Sequence, residues 1–186
     1  MAQVLDEKKS LKIQAIKFAN KLSKIKVCLF DIDGILTNGT ISWEGEDVGF
    51  NRTTHALDGH GLKMLMEAGL KVGVISGGDS LGVRKRFIDN LKLNYVFLGN
   101  EDKREAYKKI LAEGYKDEEI LFMGDEFIDL PILKRAGFSA TVPNASFEIQ
   151  EAVDYITLRQ AGDACAREVI DILRYAQNIP VKVLDF

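Results

Sequence analysis

The stretch Val27-Cys28-Leu29-Phe30-Asp31-Ile32-Asp33-Gly34-Ile35-Leu36-Thr37 decides how this chain is read. Its first four residues are uniformly apolar and sit between Lys26 and Asp31, the pattern of a short strand buried on both faces. On an extended backbone, side chains two apart point the same way. Asp31 and Asp33 are therefore expected to project together from the C-terminal end of that strand. Open α/β sheets place their ligands at that edge. Neighbouring carboxylates disfavour joint ionisation, and a bound cation relieves the repulsion most simply. The pair points to a Mg2+ site.

Downstream of residue 58 the pattern alternates between helix and strand. Leu62, Leu65 and Met66 have helical spacing and precede a strand over Lys71–Ile75. A helix over 81–89 precedes the strand Tyr95–Phe97, a helix over 101–113 precedes Ile120–Met123, and a helix over 127–136 precedes a strand over 138–142. A short strand over 155–157 and a helix over 164–177 close the chain. Repeated βα units predict an α/β fold: a doubly wound, mostly parallel, Rossmann-like sheet with helices on both faces. Right-handed crossovers bring the strand-end loops to one edge. Between Asn38 and Phe50, two extended runs around a glycine turn predict a β-hairpin flap directly after the acid pair. Trp43 is expected to pack within it or at a subunit contact. Upstream, Leu11, Ala15, Phe18, Leu22 and Ile25 mark one face of a helix. Residues 1–25 are read as a helical extension packed on a single domain, 26–186. The seven lysines from Lys8 to Lys26 are read as its solvated face rather than a membrane-binding surface.

The 186 residues, 46% hydrophobic and 28% charged, are enough for one sizeable core. A net charge of −3 gives no reason to expect nucleic acid as a partner. Cys28 and Cys165 form neither a disulfide framework nor a zinc-ligand spacing, and Cys28 reads as a core residue. No uninterrupted apolar leader segment stands at the start, and no window approaches the roughly 20 apolar residues of a membrane span. The expectation is a soluble, cytoplasmic protein without a membrane partner.

Further polar residues stand at successive strand ends. Ser76-Gly77-Gly78 follows the strand Lys71–Ile75, with Asp79 or Ser80 capping the next helix, a natural cradle for phosphate. Lys103 lies shortly after Gly99, near the start of a helix. Gly124-Asp125-Glu126-Phe127-Ile128-Asp129 follows Ile120–Met123. Each alone has an ordinary reading: a tight turn, a helix cap, a solvated lysine. An acid pair, a hydroxyl, a lysine and a further acid, in that order and each at a strand end, are poorly explained by chance.

This order, together with Asp31-Ile32-Asp33-Gly34-Ile35-Leu36-Thr37, resembles the haloacid dehalogenase superfamily of phosphotransferases along nearly the whole chain. The resemblance implies that Asp31 is a nucleophile forming an aspartyl-phosphate. Asp33 would protonate the leaving oxygen and then deprotonate water. Mg2+ would be held by Asp31, the Asp33 carbonyl and Asp125. Ser76 and Lys103 would hold phosphoryl oxygens, and Glu126 or Asp129 would orient water around the ion. Phosphate monoesters resist hydrolysis so strongly that enzymatic accelerations reach about 10²¹, and splitting the step in two lowers the barrier.

Little chain separates Thr37 from the helix near Gly61, which leaves no room for the cap domain of most sugar phosphatases in this superfamily. The chain resembles the capless 3-deoxy-D-manno-octulosonate 8-phosphate phosphatase family, through its length, its hairpin, Asp58-Gly59-His60-Gly61 and Arg167-Glu168-Val169. This implies an acidic sugar phosphate as substrate, a step in lipopolysaccharide precursor synthesis, and a homotetramer. Candidate substrate-binding residues are Gly77, His55, Asp58, Gly59, Lys63, Arg86 and Arg167. The chain departs from the family pattern at Leu57 and Gly78, where arginine is usual, and at His55, where asparagine is usual; its Ala161-Gly162-Asp163-Ala164 is also poorer in glycine. An arginine lost from an anion site is not a neutral change, so a nine-carbon ulosonate 9-phosphate is an alternative substrate. A non-catalytic oligomerisation module and a phospho-receiver domain are competing readings. The intact acids argue against the first, and the order of hydroxyl, lysine and last acid argues against the second.

Overall fold

The computed structural model describes the backbone of residues 2–183 and the side chains from Ser10 onward. The outer ends of the expected 1–25 extension and 26–186 domain, and the side chains of Lys8 and Lys9, lie outside the described residues. Six strands form one sheet: β1 (Val27–Phe30), β4 (Lys71–Ile75), β5 (Tyr95–Phe97), β6 (Ile120–Met123), β7 (Phe138–Thr141) and β8 (Tyr155–Ile156). They are ordered β5-β4-β1-β6-β7-β8, and every pairing is parallel. The chain starts in the middle, winds outward to β5, and returns beside β1 to wind the other way. The order reverses between β1 and β6, and such sheets take ligands outside the C-terminal ends of the strands at that point.

Alternation along the strands explains how both faces are buried. Cys28, Phe30, Val72, Val74, Leu121 and Met123 face one layer of helices; Val27, Leu29, Ile75, Ile120 and Phe122 face the other. The first layer holds α1 (Ala2–Lys17), α2 (Ala19–Leu22), α3 (Ala56–Glu67) and α8 (Cys165–Ala176), of which α8 packs on α1, α2 and α3. Leu11, Ala15, Leu22 and Ile25 belong to this core, with Phe18 packed edge-on against Phe138. The second layer holds α5 (Arg104–Ala112), α6 (Leu130–Leu133) and α7 (Phe147–Glu151). Among the described residues, no helix is long and apolar enough to cross a membrane. Cys28 and Cys165 are both buried thiols.

The expected flap is present as an antiparallel pair, β2 (Ser42–Trp43) and β3 (Phe50–Asn51). Trp43 meets Phe50 edge-to-face at 5.1 Å, yet both rings stay about half exposed. Three helical stretches differ from expectation. The 81–89 helix is α-helical only over α4 (Leu81–Arg84) and widens over Lys85–Asn90. The 127–136 helix begins as a tight turn over Phe127–Asp129 and ends at Leu133. The short α7 has Ile149 as its one buried residue, too little to mark a helical period in sequence.

Candidate active site

Asp31 stays tied to the sheet after β1 ends, because its N–H donates to the Met123 carbonyl at 2.8 Å. It is 4% exposed. The chain then leaves the sheet through an irregular turn over Ile32–Leu36. Gly34 makes that turn at φ 96°, and a Cβ there would collide with the Asp125 carboxylate. Glycine thus lets the loops after β1 and β6 touch.

Lys103, immediately before α5, is 2% exposed and lies between two carboxylates. Its Nζ donates to Asp31 Oδ1 and to Asp129 Oδ1, each at 2.6 Å. Asp129 is wholly buried, and its Oδ2 accepts the N–H groups of Asp125 at 3.1 Å and Glu126 at 3.2 Å. Both oxygens of Asp129 are therefore committed to bracing the lysine and the loop. Glu126 is exposed, and its side chain accepts the N–H of Phe127.

Asp31, Asp125 and Asp129 each bring a carboxylate oxygen within 4.8 Å of the others. Asp125 Oδ1 is buried with no hydrogen-bond partner among the described residues. Burial pushes the Asp31 carboxyl well above the usual range, and the Asp129 charge adds to this while Lys103 opposes it. Burial, then the Asp129 charge, pushes Asp125 up to about 7. Three carboxylates with one ammonium formally leave two negative charges in a buried space. An orphaned oxygen in such a group fits a small divalent cation of the Mg2+ kind.

The Asp33 carboxylate is not part of that group. Its Oδ1 accepts from Arg52 Nε at 2.5 Å and from Thr37 Oγ1 at 3.3 Å. The group Asp33 is expected to offer a metal is its main-chain carbonyl. Arg52 escaped sequence reading; its partner lies 19 positions away, with no motif linking the two. At the end of β4, Ser76 is buried and its Oγ accepts the Gly78 N–H at 3.2 Å. Ser80, not Asp79, caps α4 by accepting the Val83 N–H, while Asp79 pairs with Arg84.

His55, Asp58, Gly59 and Arg86 meet along one closed seam between α3 and the Lys85–Asn90 turn, with no space for a water molecule. His55 Nδ1 caps α3 by accepting the Leu57 N–H at 3.1 Å. Asp58 is 2% exposed and accepts the Arg167 N–H at 2.7 Å; burial pushes its carboxyl up to about 6. Arg86 Nη1 donates to Asn90 Oδ1 at 2.6 Å, and the guanidinium lies where a side chain on Gly59 would stand. Among the described residues, Asp58 Oδ2 and Arg86 Nε are both buried there without partners, so this seam has unused polar capacity of both signs. Gly77 lies against Glu101 in the neighbouring loop. Lys63 is exposed on α3, and Arg167 Nε pairs with Asp171 at 3.0 Å.

A family model for haloacid dehalogenase-like hydrolases matches residues 93–169. The chain is 35% identical over 161 residues to the 3-deoxy-D-manno-octulosonate 8-phosphate phosphatase KdsC of Haemophilus influenzae, an alignment covering 85% of this chain and 87% of that protein. It superimposes with TM-score 0.82 and 30% identity on the Moraxella catarrhalis phosphatase of the same name, solved with magnesium, phosphate and 3-deoxy-D-manno-octulosonate; the match covers 87% of this chain and 92% of the other. A cobalt-bound structure of the Haemophilus influenzae phosphatase gives TM-score 0.79 at 34% identity, covering 85% and 92%. The chain is thus a haloacid dehalogenase-like phosphatase, a hydrolase of sugar phosphates. Within that class, the chain belongs to the KdsC family of 3-deoxy-D-manno-octulosonate 8-phosphate phosphatases.

Proposed function

We propose that the chain hydrolyses 3-deoxy-D-manno-octulosonate 8-phosphate to the free sugar acid and phosphate, through an aspartyl-phosphate on Asp31, in lipopolysaccharide precursor synthesis. The observation that carries this is the buried cluster at the end of β1, in which Lys103 holds Asp31 in place beside the unpartnered Asp125 oxygen. An Asp31 oxygen attacks phosphorus while the bond to the sugar oxygen breaks. Asp33 gives that oxygen its proton, then takes one from the water that attacks phosphorus and frees Asp31. The Ser76 hydroxyl, the Gly77 N–H and Lys103 stabilise charge on the phosphoryl oxygens. Magnesium, held by Asp31, the Asp33 carbonyl and Asp125, would neutralise enough charge for an anionic nucleophile to approach an anionic phosphate.

Recognition of the sugar acid is assigned to His55, Asp58, Gly59, Lys63, Arg86 and Arg167, beside a closed seam that must open to admit it. Support comes from the unpaired Asp58 and Arg86 atoms there. Exposed Ile41, Trp43, Val48 and Phe50 on the hairpin support assembly into a homotetramer. A phosphate-release screen tests the substrate. The octulosonate 8-phosphate should outrank nine-carbon ulosonate 9-phosphates in kcat/KM, and both should outrank neutral hexose phosphates. A preference for a nine-carbon ester would move the assignment to that sugar, and a preference for hexose phosphates would overturn the acidic-sugar class.

A further inference from the structure

Arg52, the residue after β3, carries a guanidinium into the site from the base of the surface hairpin. Its side chain is only 6% exposed. Nε donates to Asp33 Oδ1 at 2.5 Å, and Nη1 donates to Ser80 Oγ at 3.3 Å. Nη2 lies 2.5 Å from the point that a Cβ on residue 78 would occupy, and Asp33 Oδ2 lies 3.2 Å from that point. A guanidinium taken out of water needs an anionic partner, and Asp33 is the carboxylate it meets. Among the described residues, Asp33 Oδ1 has besides Arg52 the longer contact from Thr37 Oγ1 at 3.3 Å. The guanidinium therefore joins three segments: the turn after β1, the hairpin exit, and the loop that runs from Ser76 to the cap of α4. Gly78 leaves it room, since a Cβ there would come within 2.5 Å of Nη2 and the end of the guanidinium would have to move.

We propose that Arg52 is a positioning residue of this phosphatase. Its guanidinium bridges Asp33 to the Ser80 end of the phosphate loop, and glycine at 78 is the accommodation that makes the bridge possible. The inference rests on the role assigned above to Asp33. Proton transfer to a leaving oxygen requires the donor to be held in register with it, and a displacement of about 1 Å can cost roughly 10²-fold in rate. A charge placed only to pair with Asp33 would need no glycine opposite and no second contact to Ser80; a planar fork reaching two groups at once uses both.

The test uses full-length wild type, Arg52→Ala, Arg52→Lys, Gly78→Ala and the double variant Arg52→Ala/Gly78→Ala. Phosphate release is measured with the octulosonate 8-phosphate and with p-nitrophenyl phosphate. Thermal midpoints are recorded without metal or substrate. Arg52→Ala should lower kcat about 10²-fold while KM changes much less. Arg52→Lys should recover part of that loss. Gly78→Ala should reproduce the loss although the arginine is present, and the double variant should be no worse than Arg52→Ala. The midpoints should follow the same cycle: Gly78→Ala destabilises only when Arg52 is there to be displaced. Wild-type kcat in Arg52→Ala, an effect confined to KM, or additive losses in the cycle would each overturn the proposal. Failure of the catalytic assignment is separate: it would appear as equal turnover by wild type and Asp33→Asn, and the midpoint cycle would still decide on the bridge.

Discussion

Replacing Asp58 by asparagine should change how stability depends on pH, by an amount the structure sets. Asp58 is 2% exposed, and its carboxyl titrates at about 6 in the folded protein because burial disfavours the anion. The Arg167 N–H and the charges of His55, Arg159 and Arg167 offset only part of this. In the unfolded chain an aspartate titrates near 3.9. The native state thus keeps a proton that the unfolded state has already released, so stability falls as pH rises from about 4 to about 6 and stays lower above that. Two pH units at about 1.4 kcal/mol each give roughly 3 kcal/mol, of which about 2.5 kcal/mol develops between pH ~4 and pH ~8. Asparagine can still accept the Arg167 N–H but never ionises. Its amide nitrogen would replace the partnerless Oδ2, at a pH-independent cost of about 1–3 kcal/mol. Relative to wild type, Asp58→Asn should therefore gain about 2.5 kcal/mol between these two pH values. Urea unfolding of both proteins across that range measures the difference directly. A difference that is flat with pH, or that moves towards wild type as pH rises, would refute the burial argument.

Three further outcomes follow from the site. Lys103→Ala leaves Asp31 and Asp129 facing each other without their shared cation. It should cost about 3–5 kcal/mol at neutral pH and less in acid, where protonation relieves the pair, and should lower phosphate release by about 10²–10³; denaturant curves and initial rates check both. Because Asp125 is pushed up to about 7, and a carboxylate must lose its proton to bind a metal, Mg2+ affinity should weaken roughly tenfold per pH unit below that value. Thermal shifts under Mg2+ titration would show this in wild type and no Mg2+ response in Asp125→Asn, and chelation should stop turnover. Gly34→Ala forces a side chain at φ 96° into the Asp125 carboxylate, and should lose more than about 1 kcal/mol of stability together with the Mg2+-induced shift.

The parts of the molecule that sequence reveals are those whose physics is local. Val27–Phe30 and Ile120–Met123 are four-residue apolar runs because both faces of a central parallel strand are covered, so burial itself marks them. Asp31, Ser76, Lys103 and Asp125 were readable because each sits at a strand end, which topology brings to one edge. The role of Asp129 was less legible. The family resemblance makes it a candidate for orienting water near the ion, but only the fold shows both of its oxygens committed to Lys103 and the loop N–H groups. The expected Asp31/Asp33 carboxylate pair is really two separate arrangements, one with Lys103 and one with Arg52, since the irregular turn at Ile32–Leu36 ends the alternation of an extended strand. Arg52 had no sequence signal at all. The missing arginine at position 78 was visible, but a guanidinium filling that space from the hairpin exit is a fact of three-dimensional packing.

The most direct measurement asks whether phosphorus is ever bonded to Asp31. Enzyme mixed with Mg2+ and radiolabelled sugar phosphate is quenched in acid within one turnover, reduced with borohydride and mapped by mass spectrometry. An acyl phosphate on Asp31 predicts protein-bound label in the quenched sample and homoserine at position 31 after reduction, both absent from Asp31→Asn. Product formed without protein-bound label, or label traced to a different residue, would contradict the account.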